Sequence, residues 1–238
     1  ASFVCEVEQE TLENGAESVG VDLGISTFAT LSTGEKIVAP KPLKKRLKRL
    51  RRLQRNLARK VKGSRRRERV WRRVAKLHAK IRDTRTDFLH KLSTRLIREN
   101  QAVMVEDLNV SGMVKNRKLS RAISDLGWRQ FRTLLEGKGI RYGRTVGVVN
   151  RWEPTSQICS CCGERGGKLD LSIREWQCLW CGATHDRDIN AAKNIQVAGG
   201  QSKTLNGRGG THKSGLPAAS GEASTCWDGQ QLQLLLFA

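Results

Sequence analysis

Four cysteines carry the sharpest chemical signal in the chain. Cys159 and Cys162 form one Cys-x-x-Cys unit and Cys178 and Cys181 another, with residues 163–177 between them. Each unit ends in glycine, Gly163 or Gly182, which lets the backbone turn beneath a bound ion. Two such knuckles offer four thiolates to one tetrahedral ion, the pattern of a closed, structural zinc ribbon. An iron centre and a chance pairing are the alternatives. Cys161, inside the first knuckle, reads as a bystander that could compete for the metal with a neighbour. Cys5 and Cys226 read as free thiols.

A second set of residues could do chemistry. Asp22 interrupts the apolar run Val19-Gly-Val-Asp-Leu-Gly24, Glu106 ends the apolar run that starts at Ala102, and Asp188 follows the second knuckle. An acid on an apolar strand is costly to bury unless it is paired or bound to a metal. Three carboxylates brought together would repel one another, and divalent cations remove that conflict. Oxygen ligands suit Mg²⁺ or Mn²⁺. Two such ions roughly 4 Å apart can activate water and stabilise a leaving oxygen in phosphodiester hydrolysis. Taken singly, Asp22 could equally cap a turn at Gly24, and Asp188 could be an ordinary helix cap.

The elements that must position these groups follow from periodicity. Val19–Gly24, Ile25–Leu31 and Glu35–Ala39 are three short strands with tight turns, predicting an antiparallel meander. If the first of them lies beside the strand at Gln101–Leu108, Asp22 and Glu106 face each other. Between them, residues 43–100 predict two helices. Leu43, Leu47, Leu50, Leu53, Leu57 and Val61 mark one apolar face, Gly63-Ser64 breaks the run, and Val70 to Leu96 mark a second. Packed along these seams they form an antiparallel hairpin. Residues 109–124 read as a polar loop. A helix is predicted over Asp125–Gly137, capped by Asp125 and stopped by Gly137-Lys-Gly139, and a strand over Ile140–Val149. Asp188–Val197 predicts a short helix with Ile189, Ala192 and Ile195 on one face. Phe3–Glu8 alternates like a strand, and Gly199–Gly229 has the composition of a disordered segment.

Charge says what such a site acts on. The 238 residues carry 44 Lys and Arg against 23 acids, a formal charge of +21. The excess concentrates in the hairpin, where residues 41–100 hold 25 basic residues and only Glu68, Asp83, Asp87 and Glu99 as acids. So one-sided a balance cannot neutralise itself through i,i+4 pairs. It suits a polyanion, with nucleic acid favoured over an anionic membrane surface. No signal peptide is recognisable, and no apolar run reaches the roughly 18 residues of a membrane span. Paired Cys-x-x-Cys units in a chain without a secretion signal read as metal binding in a reducing compartment, not as disulfides, hence a cytoplasmic protein.

The runs Val19-Gly-Val-Asp22-Leu-Gly24, Val103-Met-Val-Glu106-Asp-Leu-Asn109 and Asp186-Arg-Asp188-Ile-Asn-Ala-Ala-Lys-Asn194, with Pro154-Thr-Ser-Gln-Ile-Cys-Ser-Cys-Cys-Gly163 ahead of the last, closely resemble the RuvC and zinc-ribbon region of TnpB. That family belongs to insertion-sequence transposons and is related to compact type V CRISPR effectors. The resemblance covers about Val19 to Val197. It implies an α/β, RNase H-like (RuvC) fold with an inserted basic helical hairpin and a small zinc-ribbon module. It also implies an RNA-guided, Mg²⁺-dependent DNA endonuclease with one site that cuts both strands, its partners being guide RNA and target DNA. The family's catalytic acids fall on Asp22, Glu106 and Asp188. Its ribbon cysteines fall on Cys159, Cys162, Cys178 and Cys181, and Cys161 departs from the pattern. Asp107 and Asp186, beside the family acids, are expected to support or cap.

On this likeness the chain divides into 1–18, a remnant strand and linker; 19–155, RuvC-like, with the hairpin at 43–100; 156–184, the ribbon; 185–198, a final RuvC helix; and 199–238, a disordered tail. Family members also carry a sizeable N-terminal part that holds the guide RNA and reads the motif beside the target. The chain is expected to be a truncated copy, a fragment or a reduced form. Metal binding and nucleic-acid affinity are then expected to persist while guided recognition is weakened or lost. The competing readings are a non-catalytic nucleic-acid-binding accessory of a transposon and a transposase-related fragment.

Overall fold

The computed structural model describes Leu12 and residues 15–167, 169–170 and 172–201. The strand expected at Phe3–Glu8 and the tail beyond Gln201 lie outside these residues. Five strands form a mixed sheet in the order β3-β2-β1-β4-β5. Strands β1 (Ala16–Leu23), β2 (Ala29–Leu31) and β3 (Lys36–Ile37) make the predicted antiparallel meander. Strand β4 (Asn100–Glu106) runs parallel to β1, and β5 (Thr145–Val149) runs parallel to β4. The first strand starts at Ala16, inside the expected linker. The second is shorter than predicted because residues 25–28 bend, closed by Gly24 N donating to Phe28 O at 3.2 Å. The bend drives Phe28 into the core, where its ring meets those of Phe88 and Phe131 edge-on, each at 5.2 Å.

The basic hairpin forms as predicted from helices α1 (Pro42–Ala58) and α2 (Arg65–Glu99). Gly63 takes a left-handed φ of 81° in the turn, and Ser64 caps α2 by accepting from Arg67 N at 3.2 Å. Leu43, Leu50 and Leu53 of α1 pack against Val74, Leu77 and Ile81 of α2. The far end of α2 belongs to a different core. There Leu89, Leu92, Leu96 and Ile97 lie against β1, β2 and β4.

Four readings of the next segment need correction. Residues 109–124 are not a loop throughout, since they hold α3 (Val110–Met113) and most of α4 (Ser120–Leu126). Asp125 does not cap the helix that follows it. Its two carboxylate oxygens accept Leu43 N and Lys44 N, each at 3.0 Å, so it caps α1 across the fold, with Arg85 Nη2 3.5 Å away. Helix α5 (Trp128–Arg141) starts after Gly127, at φ 75°, and runs through Gly137 and Gly139. Gly139 is there for proximity, because a Cβ at that position would sit 2.7 Å from Val146 Cγ2. Strand β5 therefore begins at Thr145, not Ile140.

A separate two-stranded sheet, β6 (Glu175–Gln177) and β7 (Thr184–Asp186), leads into α6 (Arg187–Gln201). This helix passes Val197 and continues through Gly199–Gln201, so the first residues of the expected disordered tail are helical. Strand alternation sorts the two sides of the main sheet. Val19, Val21, Val103 and Val105 face the core shared with α2 and α5. Ala102 and Met104 point the other way and pack on Ile195 of α6.

Candidate functional site

The parallel pairing of β1 with β4 ends at Val21–Val105, and Asp22 and Glu106 are the next residues on each strand. By the two-residue period, Asp22 shares a face with Gly20 and Glu106 with Met104. That is the face covered by α6. The helix lies directly on β1: a Cβ on Gly20 would come within 1.9 Å of Ala192 O, and Gln196 Nε2 donates to Ser18 O at 2.9 Å. Residue 196 thus meets 18 and residue 192 meets 20. Four helical residues rise about 6 Å and two strand residues about 6.6 Å, so the next helical turn brings Asp188 toward Asp22.

Electrostatics report the same convergence. Burial, then the charges of Glu106 and Asp188, push the half-buried Asp22 carboxyl up to about 7, and Arg187 and Arg174 only partly oppose this. Burial and Asp107 raise Glu106 as well. Arg174 Nη1 stands 3.4 Å from Asp188 Oδ1. Among the described residues the three carboxylates do not close to within 4.8 Å of one another, as the cysteine sulfurs do. Three carboxyl groups converge here with only partial compensation from Arg187 and Arg174, which is the donor set and the charge imbalance that hard divalent cations relieve.

The two flanking acids take other jobs. Asp186 Oδ1 accepts Asp188 N at 3.0 Å and Ile189 N at 3.1 Å, which makes it the cap of α6, and Lys36 Nζ is 2.6 Å from its other oxygen. Burial opposes its charge, but Lys36 and these N–H groups hold it below the usual carboxylate range. Asp188 is thereby released from capping. Asp107 turns away from the acids, accepting from Arg132 of α5 at 2.7 Å and from Arg151, just beyond β5. The Arg151 bond chiefly, with help from Arg132, holds its carboxyl below the usual carboxylate range although burial opposes this. Gly24 N bonds Phe28 O, so Asp22 is not the cap of that turn.

The cysteine cluster is closed. The Sγ atoms of Cys159, Cys162, Cys178 and Cys181 all lie within 4.8 Å of one another, with Cys159–Cys181 at 3.6 Å and Cys162–Cys178 at 3.7 Å. Four sulfurs about 2.3 Å from a central ion are spaced about 3.8 Å apart in a tetrahedron, so these residues fit one metal ion. Without it the thiols are in conflict. Burial pushes Cys162 up to about 12 and raises Cys159, while backbone N–H groups, Cys181 first, bring Cys178 down to about 7. A bound cation would hold all four as thiolates.

Sequence reasoning missed the groups that join this cluster to α6. Asn190, buried, accepts Ser160 N at 2.8 Å and donates to Ile158 O at 2.7 Å. Asn194 Nδ2 bonds Thr155 O and Ile158 O, each at 2.7 Å. His185, also buried, places Nε2 3.0 Å from Cys159 Sγ and stacks on Trp176 with ring centres 4.9 Å apart. Cys161 comes close as well, forming a second, overlapping group with Cys159 and His185. A histidine four residues after Cys181 was the available sequence signal.

Residues 2–117 match the OrfB_IS605 family, described as "Probable transposase", and residues 128–195 match the "Cas12f1-like, TNB domain" family. A Streptomyces pristinaespiralis protein named "Putative RNA-guided DNA endonuclease" is 52% identical over 198 residues, which are 83% of this chain and 49% of that protein. The chain belongs to the TnpB family. A second relative, InsQ of Escherichia coli, bears the same endonuclease description and is 36% identical over 200 residues, 77% of this chain and 49% of InsQ. The TnpB-family chain thus spans about half the length of these curated relatives. Its fold is similar to that of the protein in the cryo-EM structure of a CRISPR-Cas12f ternary complex, with a TM-score of 0.53 and 18% identity over 82% of this chain and 41% of that one.

Proposed function

We propose that this TnpB-family chain is the RuvC-type, RNase H-like nuclease portion of an RNA-guided DNA endonuclease, acting on phosphodiester bonds with Mg²⁺ or Mn²⁺ held by Asp22, Glu106 and Asp188. The observation that carries the reading is geometric: Asp22 and Glu106 stand side by side at the carboxyl ends of β1 and β4, on the face covered by α6, whose first turn holds Asp188. When bound, such ions activate water and offset the charge that develops on the leaving oxygen. The chain's own residues do the rest. Strands β1 and β4 fix two ligands on rigid backbone, and α6 presents the third from its first turn, freed by the Asp186 cap. The four cysteines hold a structural zinc beside that helix. The basic hairpin α1–α2 supplies positive surface for guide RNA and target DNA, as the relatives' names suggest for those proteins.

The test is a cleavage assay on single- and double-stranded DNA, with and without Mg²⁺ and with and without co-purified RNA. Wild type is compared with Asp22→Ala and Glu106→Ala. Cleavage should need the metal and fall by several orders of magnitude in either variant; activity equal to wild type in both sinks the assignment.

A further inference from the structure

We infer that His185 is a positioning residue through which the filled cysteine cluster holds Asp188 in place. The inference rests on the reading of Asp188 as a metal ligand. Two observations and one chemical constraint combine. The ring nitrogen of a buried histidine lies 3.0 Å from Cys159 Sγ. A metal-bound Cys159 is a thiolate and can only accept, so Nε2 carries the proton and donates to sulfur. His185 sits on β7, whose last residue, Asp186, caps α6 and whose second residue beyond that is Asp188.

The bond is one of several between the first knuckle and this helix. Ser160 N and Ile158 O are bound by Asn190, and Ile158 O and Thr155 O by Asn194. These two asparagines fix the body of α6. His185, unlike the two asparagines, reaches the metal-ligating sulfur itself, and it does so from the strand that delivers Asp188. The imidazole also meets the ring of Trp176 on β6, at 4.9 Å between centres and tilted by 40°, a contact that does not depend on the metal. With the cluster filled, Cys159 is fixed by the ion, His185 by Cys159, and the Asp186–Asp188 corner by β7. With the cluster empty, Cys159 is a thiol among thiols and a poorer acceptor, and the corner loses one of its anchors.

The test uses the full chain, zinc-loaded, with His185→Phe, which keeps a ring against Trp176 but has no donor, and His185→Gln, which restores an N–H near the Nε2 position. Zinc release to an excess of a chromogenic chelator should be about 10–100-fold faster in His185→Phe and near wild type in His185→Gln. Mn²⁺ affinity, read by electron paramagnetic resonance, should be several-fold weaker in His185→Phe and recovered in His185→Gln. Circular dichroism checks that both variants are folded. If His185→Phe releases zinc at the wild-type rate, the hydrogen bond to Cys159 is overturned. Faster zinc release with unchanged Mn²⁺ affinity overturns the link to Asp188. An Asp188→Asn control separates the two claims: if it leaves Mn²⁺ affinity intact, the metal-ligand reading of Asp188 fails on its own, whatever His185 does to zinc.

Discussion

Replacing Asp22 by asparagine should stabilise the zinc-loaded protein when no Mg²⁺ or Mn²⁺ is present, and more so as pH rises. The folded-state carboxyl sits near 7 against an ordinary value of 3.8, chiefly because it is buried and secondarily because Glu106 and Asp188 face it. A shift of about three units corresponds to roughly 4 kcal/mol. The sign follows from proton binding. Between pH 3.8 and about 7 the unfolded chain has released this proton and the folded chain keeps it, so stability is greatest below 3.8, falls through that window and levels off above it. Between pH 5 and pH 8 the wild type should lose about 2–3 kcal/mol from this one group, and Asp22→Asn should not. For a chain of this size that is a gap of about 5–10 °C in melting temperature that opens between the two pH values. Thermal melts followed by circular dichroism at both pH values measure it. Adding Mg²⁺ at pH 8 should raise the wild type and move the variant much less. A wild-type-to-variant gap that is the same at pH 5 and pH 8 would refute the electrostatic account of the acid cluster.

Other perturbations probe the parts that place the site. Asp125→Ala removes both acceptors at the start of α1 and leaves Arg85 without its carboxylate, so it should cost about 2–4 kcal/mol in urea unfolding, with Asp125→Asn intermediate. Gly20→Ala must push α6 off β1, since its Cβ would lie 1.9 Å from Ala192 O; a loss of about 1–3 kcal/mol and weaker Mn²⁺ binding are expected from melts and resonance titrations. Changing the exposed Arg65, Arg66 and Arg69 to glutamine should reduce the slope of log affinity against log salt for nucleic acid by up to about 2–3, measured by fluorescence anisotropy.

What was legible in the sequence was whatever is written locally and periodically. The apolar spacing of Leu43 to Leu96 marked the hairpin, and the Cys-x-x-Cys pairs marked the cluster, because each signal repeats within one or two turns of chain. The β1–β4 pairing that brings Asp22 beside Glu106 could be posed only as a condition, since the hairpin separates the two strands. Non-local uses of ordinary residues were not legible. Asp125 looked like a cap for its own helix because nothing nearby says that its carboxylate reaches back to Leu43 and Lys44. Gly139 looked like a helix stop because the sequence does not show Val146 pressing against it. Ile25–Phe28 is apolar enough for a strand, but one of its residues is needed as a core aromatic. His185 was passed over because its partner sulfur is 26 residues upstream.

Helix α2 has a consequence of its own. Its 35 residues make a rod of roughly 50 Å. The end near Leu96 is embedded in the sheet core, while the part around Leu77 packs with α1 in a separate cluster. The hairpin therefore acts as a ruler whose graduations are helical turns. Lengthening both helices by seven residues would move the basic tip outward by about 10 Å and return the apolar seam to within about 20° of its present bearing. Lengthening by two would swing the seam by about 200° and turn leucines outward while the sheet and its acids stayed unchanged. Reach and register are thus adjustable in this arm independently of the acid cluster, in steps that the geometry of the α-helix sets.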